Sequence, residues 1–270
     1  MGLGDVIQPG DSAQSKIAIN DGNIFLMYIF GGCSDVTKMD GPNGVSKELK
    51  GVKMEIGVAV SQDGAHWSRI EGSEPYGSIL VGGKSEDDYD NQFVGWPTVM
   101  EVGSEYRMYY TTFNSKVQEF QICVATAKDG LIKWNKRGPI VLAGRNDDSF
   151  DGKGASRRHI IKLDDGTYRM WYEGVSKAGV HSIGCAKSAD GFMWERYSDK
   201  PIFSASTDVD AWDNGGVGSP HLVYLPDKKR WRMYYAGNRK TAQGTLPSAS
   251  IGVAESTDED GLVFERMHIT

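Results

Sequence analysis

The stretch "YRMWYEGVSKAGVHSIGCAKSADGFMW", residues 168–194, decides the fold, because its parts recur along the chain. YRMWY at 168–172 has sister segments YRMYY at 106–110, WRMYY at 231–235 and, more weakly, IFLMY at 24–28. A second apolar segment follows each: IGCAK at 183–187 matches IGVAV at 56–60, ICVAT at 122–126 and IGVAE at 251–255. A turn and an aromatic then close the unit, SADGFMW at 188–194 beside SQDGAHW at 61–67, AKDGLIKW at 127–134 and STDEDGLVF at 256–264. Met108, Met170 and Met233 set the central segments 62 and 63 residues apart, and an insertion around 31–55 stretches the first interval to 82. Repeats of this length mark an array of supersecondary units.

Each unit reads as β-structure. Tyr106, Met108 and Tyr110 fall on one face of a period-2 pattern, with Arg107 and Tyr109 on the other. Asp-Gly supplies the tight turn, its glycine accepting positive φ. Upstream runs KIAI, PTVMEV, HIIKL and HLVYL add a further strand. Four antiparallel strands in about 60 residues make a β-propeller blade, whose faces are buried only against neighbouring blades. The expected fold is therefore all-β, one propeller domain over 1–270, with blades near 11–72, 90–142, 150–203 and 210–267. Thirty-four glycines, twelve tyrosines and seven tryptophans agree with many short strands and turns.

Lys+Arg 30 against Asp+Glu 36 gives a net charge of −6, which offers nucleic acid no basic field. Of three cysteines, Cys123 and Cys185 fall in apolar strands and Cys33 in a loop, with no disulfide or metal spacing. That suits a reducing compartment such as cytoplasm or plastid. The opening MGLGDVIQPGDS has no signal-peptide run and no segment could span a bilayer, so a soluble protein without membrane partners is expected.

The motifs "YRMYY…ICVATAKDG…W" and "YRMWYEG…HSIGCAKSADGFMW" resemble the five-bladed propeller glycosidases, the arabinanase/levansucrase/invertase clan. They are most similar to its poorly characterised glycosidase-like members in bacteria and plastids. The resemblance implies a carbohydrate-active protein, a glycoside hydrolase or phosphorylase, with a pocket at the mouth of a central channel. It also implies five blades where four are recognisable. The chain opens near an innermost strand and closes on an outermost one, so a homodimer completing the ring is one expectation. No cofactor is implied beyond a structural cation in the channel, near His159 or His221.

In the resembled hydrolases the opening of each innermost strand carries carboxylates. Aligning the units puts Lys16, Pro97, Arg158 and Pro220 there, preceded by Ser15, Trp96, Arg157 and Ser219, none of them acidic. Carboxylates stand seven residues earlier in the aromatic-Asp pairs Tyr89-Asp90, Phe150-Asp151 and Trp212-Asp213, where threefold repetition favours a turn-capping role. Glu173, whose counterparts are Ile29, Thr111 and Ala236, does not repeat and is the better acid/base candidate. The catalytic candidates are thus Glu173, Asp151, Asp213 and Asp90. Arg157, Arg158, His159, His221 and His181 read as a cation cluster for a uronic acid, sugar phosphate or phosphate. Trp96 could stack on a sugar ring, and Asn238 completes the candidate ligand set. The segment KMDGPNG at 38–44 reads as a turn-rich loop. Against the enzyme stands a catalytically degenerate propeller that binds glycan or metabolite, or serves as a scaffold.

Overall fold

The computed structural model describes residues 2–7, 24–32, 36–40, 46–143, 145–241, 244–245 and 250–267. They fall into two compact units, Met1–Ile140 and Val141–Thr270, and form strands and short 3-10 turns with no α-helix among the described residues. The all-β propeller-blade reading holds, with two blades in each unit.

The first unit runs β1 (Gly2–Ile7), β2 (Phe25–Gly32), β3 (Val36–Asp40), β4 (Ser46–Lys50), β5 (Met54–Ser61), β6 (Ser68–Ile70), β7 (Gly95–Val102), β8 (Glu105–Asn114), β9 (Glu119–Ala127) and β10 (Asn135–Pro139). Blade one is the antiparallel sheet β1-β2-β5-β6 and blade two is β7-β8-β9-β10. The second unit runs β11 (Val141–Ala143), β12 (Ala155–Lys162), β13 (Tyr168–Val175), β14 (His181–Ser188), β15 (Met193–Arg196), β16 (Gly216–Leu225), β17 (Arg230–Asn238), β18 (Lys240–Thr241), β19 (Gly244–Thr245), β20 (Ser250–Ser256) and β21 (Phe264–Arg266). Blade three is β12-β13-β14-β15 with β11 added parallel to β15, and blade four is β16-β17-β20-β21.

Three features depart from expectation. KIAI, with Lys16, lies outside the described residues, and Gly2–Ile7 occupies the first-strand place in blade one by pairing with β2. The insertion holds an antiparallel ribbon, β3 with β4, where a loop was expected; residues 41–45 lie outside the described residues. The parallel β11 gives blade three a fifth strand. Cys33 also lies outside the described residues, while Cys123 and Cys185 are buried thiols.

The central strands are covered on both faces: all eight residues of β13 are buried, as is β8 from Tyr106 to Phe113. Leu26, Ile56, Val99 and Met108 belong to the core of the first unit, and Trp171, Cys185, Leu222 and Met233 to that of the second. The Asp-Gly turns form as read, with φ of +73° at Gly64, +69° at Gly130, +79° at Gly191 and +68° at Gly261. Oδ1 of Asp63, Asp129 and Asp190 each accepts the backbone N–H groups two and three residues on, which locks the turn. These turns also tie blades together within a unit. Tyr28 Oη–H donates to Gly130 O at 2.8 Å in the first, and Trp171 Nε1–H to Gly261 O at 2.7 Å in the second.

Candidate functional site

Each first strand opens with a β-bulge that re-aims its side chains. In blade two the register jumps between Gly95 and Thr98, and in blade four between Gly218 and His221, with one extra residue each time. Trp96 (φ +48°) and Ser219 (φ +51°) occupy these bulges, and the proline after each has no N–H to withhold from the ladder. Left-handed backbone at a non-glycine residue costs about 1–3 kcal/mol and concentrates where geometry matters. Blade three bulges at Ser156-Arg157 without a proline, so Arg158 pairs directly with Tyr172.

The bulges of blades three and four converge on Glu173, a fully buried carboxylate near the end of β13. Arg157 Nη1 lies 3.2 and 3.1 Å from its two oxygens, His181 Nδ1 is 2.7 Å from Oε1, and the Ser219 N–H donates to Oε2 at 2.9 Å. Gly218 makes the room: a Cβ there would stand 2.1 Å from Oε2. Burial pushes the Glu173 carboxyl up, but the His181 bond, the Arg157 charge and the Ser219 N–H outweigh it and hold the group at about 2. Glu173 is therefore ionised at neutral pH and has no proton to give, which removes the general-acid role expected of it. Because an ionised carboxylate only accepts, His181 Nδ1 carries the hydrogen and Nε2 is left as the exchanging atom. The side chains of Arg157 and His181 remain 37% and 42% exposed.

The other predicted ligand residues do not add up to a cation cluster. Arg157 is compensated by Glu173. Arg158 is buried beside Tyr172, on the opposite side of the blade from Glu173. His159 stands against His221 with ring centroids 4.7 Å apart, edge to face. Burial, then the neighbouring imidazole, lowers His159 to about 3, and burial lowers His221, so the pair enters neutral pH uncharged on His159. Asn238 ends β17, where its carbonyl accepts the Gly215 N–H at 2.8 Å. Trp96 packs 5.0 Å from Phe30 and 5.9 Å from Phe93, inside an aromatic group of the first unit.

The three repeated aspartates share one arrangement. Asp90 accepts from Tyr110 Oη–H at 3.0 Å and pairs with Lys136 at 2.7 Å. Asp151 accepts from Tyr172 at 2.8 Å and pairs with Arg196 at 3.0 Å. Asp213 accepts from Tyr235 at 2.9 Å and pairs with Arg266 at 2.7 Å. Each buried carboxylate ties the loop before a blade to its central strand and, through the cation, to its outer strand. This bracing accounts for the threefold repetition and leaves their candidacy as catalytic groups without geometric support.

One carboxylate escaped the sequence alignment. Asp5 pairs with Tyr28 as Arg158 pairs with Tyr172, so blade one does carry an acid at the strand-opening position. Its Oδ2 accepts the Val99 N–H at 2.9 Å. The alignment missed it by assuming a short hairpin between the first and second strands, whereas 17 residues separate Ile7 from Phe25 in the numbering. Among the described residues no three His, Cys, Asp or Glu side chains group as metal ligands. No helix among the described residues is long and apolar enough to cross a membrane.

The chain matches no protein-family model. It is 28% identical over 187 residues to a Mycobacterium tuberculosis protein described only as uncharacterised, a match covering 67% of this chain and 56% of that one. The chain thus matches little over half the length of its curated relatives. Among solved structures it is similar to a family 117 glycoside hydrolase of the marine bacterium Zobellia galactanivorans, with a TM-score of 0.63 and 16% identity over 98% of this chain and 68% of that one. It is also similar to the β-1,2-mannobiose phosphorylase of Listeria innocua, with a TM-score of 0.62 and 16% identity over 98% and 75%. The fold of this chain is accordingly the β-propeller shared by these carbohydrate-active enzymes.

Proposed function

We propose that the chain is a carbohydrate-recognising propeller of the glycosidase type, in which Arg157, Glu173 and His181 present fixed donors and acceptors to sugar hydroxyls. The observation that carries this reading is the buried, ionised Glu173 shared by two half-exposed donors. Such a charge-assisted network is held in place before a ligand arrives. Recognition is favoured over standard hydrolysis because Asp151 and Asp213 are buried in braces and Glu173 lacks a proton. Calorimetric titration with methyl pyranosides tests it. Arg157→Ala should weaken binding about 10- to 100-fold, the worth of one or two charged hydrogen bonds. Binding equal to wild type removes the site.

A second reading has one specific observation behind it, the 2.7 Å contact between His181 Nδ1 and Glu173. A carboxylate that fixes an imidazole in this way prepares Nε2 to carry a proton, so His181 would replace the missing carboxylic acid. The assay is cleavage of aryl glycosides with and without phosphate, across pH. One limb of the profile should vanish in His181→Ala and weaken in Glu173→Gln. No turnover by wild type under either condition eliminates this reading.

A further inference from the structure

The β13–β14 hairpin sets His181 beside Glu173 by register. His181 opens β14 directly opposite Val175, and Glu173 stands two residues before Val175, so the three side chains share one face of the sheet. The turn between them is locked: the Ser176 N–H donates to the Val180 carbonyl at 3.0 Å and the Val180 N–H to Ser176 Oγ at 3.1 Å. Gly216 (φ +156°) lies alongside in a backbone conformation that other residues rarely adopt. A side chain there would begin in contact with the imidazole stem, 3.5 Å from the His181 Cβ, so glycine keeps that flank clear.

The blade scaffold does not call for this pair. By the alignment of the repeats, the counterparts of Glu173 and His181 are Ile29 and Met54 in blade one, Thr111 and Phe120 in blade two, and Ala236 and Ala249 in blade four. Uncharged residues fill both places in every sister blade, so the carboxylate and the imidazole depart from the repeat together. A brace of the kind the three aspartates form recurs; this pair occurs once.

The polarity of His181 follows from what surrounds the carboxylate. The Arg157 guanidinium and the Ser219 N–H are donors that cannot accept, and between them they engage both oxygens of Glu173. Nδ1 of His181 joins that set at Oε1 and so holds the one ring hydrogen of the neutral imidazole. Nε2 is then an acceptor and nothing else. Among the described residues no group donates to it, and the side chain is 42% exposed.

We propose that His181 Nε2 decides specificity at this site: it selects a sugar whose hydroxyl donates a hydrogen there and refuses analogues in which fluorine or an ether oxygen replaces that hydroxyl. This selectivity rests on the recognition reading of Arg157, Glu173 and His181 and adds the direction of one hydrogen bond. A replacement atom without hydrogen would meet Nε2 lone pair against lone pair.

Two measurements on the wild-type chain test it. Long-range proton–nitrogen correlation spectra, recorded above the imidazole titration range, should show His181 as the Nδ1–H tautomer. A signal of the Nε2–H tautomer overturns the proposal whether or not any sugar binds. Calorimetric titration with methyl glucoside, methyl galactoside and methyl mannoside, each hydroxyl replaced in turn by hydrogen or fluorine, reads the ligand side. At one ring position the deoxy and fluoro sugars should both bind about 3- to 10-fold more weakly than the parent, the worth of one neutral hydrogen bond. His181→Phe should erase the difference between the parent and that deoxy sugar, and a difference that persists overturns the proposal. If the parent binds and weakens in Arg157→Ala, yet fluorine replaces every hydroxyl without loss, the recognition reading stands and the proposal falls. If no sugar of the panel binds, both fall.

Discussion

Glu173 and His159 respond to acid in pH windows that begin about two units apart, which makes the onset of each separable by titration. Glu173 sits at about 2 against an ordinary 4.5, so its stabilisation is complete above about 4.5 and is lost as pH falls toward 2. The linked free energy is on the order of 3 kcal/mol. His159 sits at about 3 against 6.5 because burial and His221 oppose its charge. Its contribution is complete above about 6.5 and drains away as pH falls toward 3, where the folded state must accept a buried cation. Urea unfolding of wild type and variants across pH should show both. His159→Gln should flatten the limb that begins near pH 6.5. Glu173→Gln should flatten the limb below 4.5 and lower stability at pH 7 by about 1–3 kcal/mol, a range discounted because Arg157 is partly hydrated. Limbs that superimpose on wild type would refute the shared network around Glu173.

At the scale of elements, the blades are held by three copies of one brace whose strengths differ with exposure. Arg196 and Asp151 are almost fully enclosed, at 3% and 0% side-chain exposure, whereas Lys136 and Arg266 keep 28% and 30%. Asp151→Ala removes the buried partner of the Arg196 guanidinium, which keeps Asp199 at 2.8 Å, and should cost about 2–4 kcal/mol. Asp90→Ala and Asp213→Ala leave cations that reach water and should cost less, about 1–3 kcal/mol. Unfolding midpoints check the order, and equal losses at all three would contradict it. Half of this brace is legible in the sequence. The aromatic-Asp pair keeps a constant offset, and Tyr110, Tyr172 and Tyr235 recur in the central motif. The cation is not legible, because Lys136, Arg196 and Arg266 come from outer strands whose register against the loop is set only by folding. Glu173 was visible as the copy that breaks the repeat. Arg157 and His181 were visible as candidates, but the backbone part of the network was hidden, since the Ser219 N–H is aimed by left-handed backbone and Gly218 matters only for the side chain it lacks. Asp5 was hidden by hairpin length, which a repeat period does not encode.

For the whole molecule, the net charge of −6 decides what a compensated guanidinium can attract. Arginines and histidines near one another suggest an anion receptor when read along the sequence. The fold adds Glu173 to Arg157 and leaves His159 uncharged at pH 7, so the local positive field is small. What remains is a modest repulsion of anions by the whole chain, worth about 1 kcal/mol when unscreened at distances near 20 Å. Raising salt from about 10 to 150 mM shortens the screening length from roughly 30 to 8 Å and removes most of it. Methyl glucoside should therefore bind better than methyl glucuronide at low salt, by roughly 3- to 8-fold on that estimate. The preference should shrink toward parity at physiological salt, with the neutral sugar itself insensitive to salt. Calorimetric titration of both sugars at both ionic strengths measures this directly. If the uronate binds more tightly at low salt and loses that advantage as salt rises, then Arg157 attracts anions in spite of Glu173. The charge balance argued for that network would then be wrong.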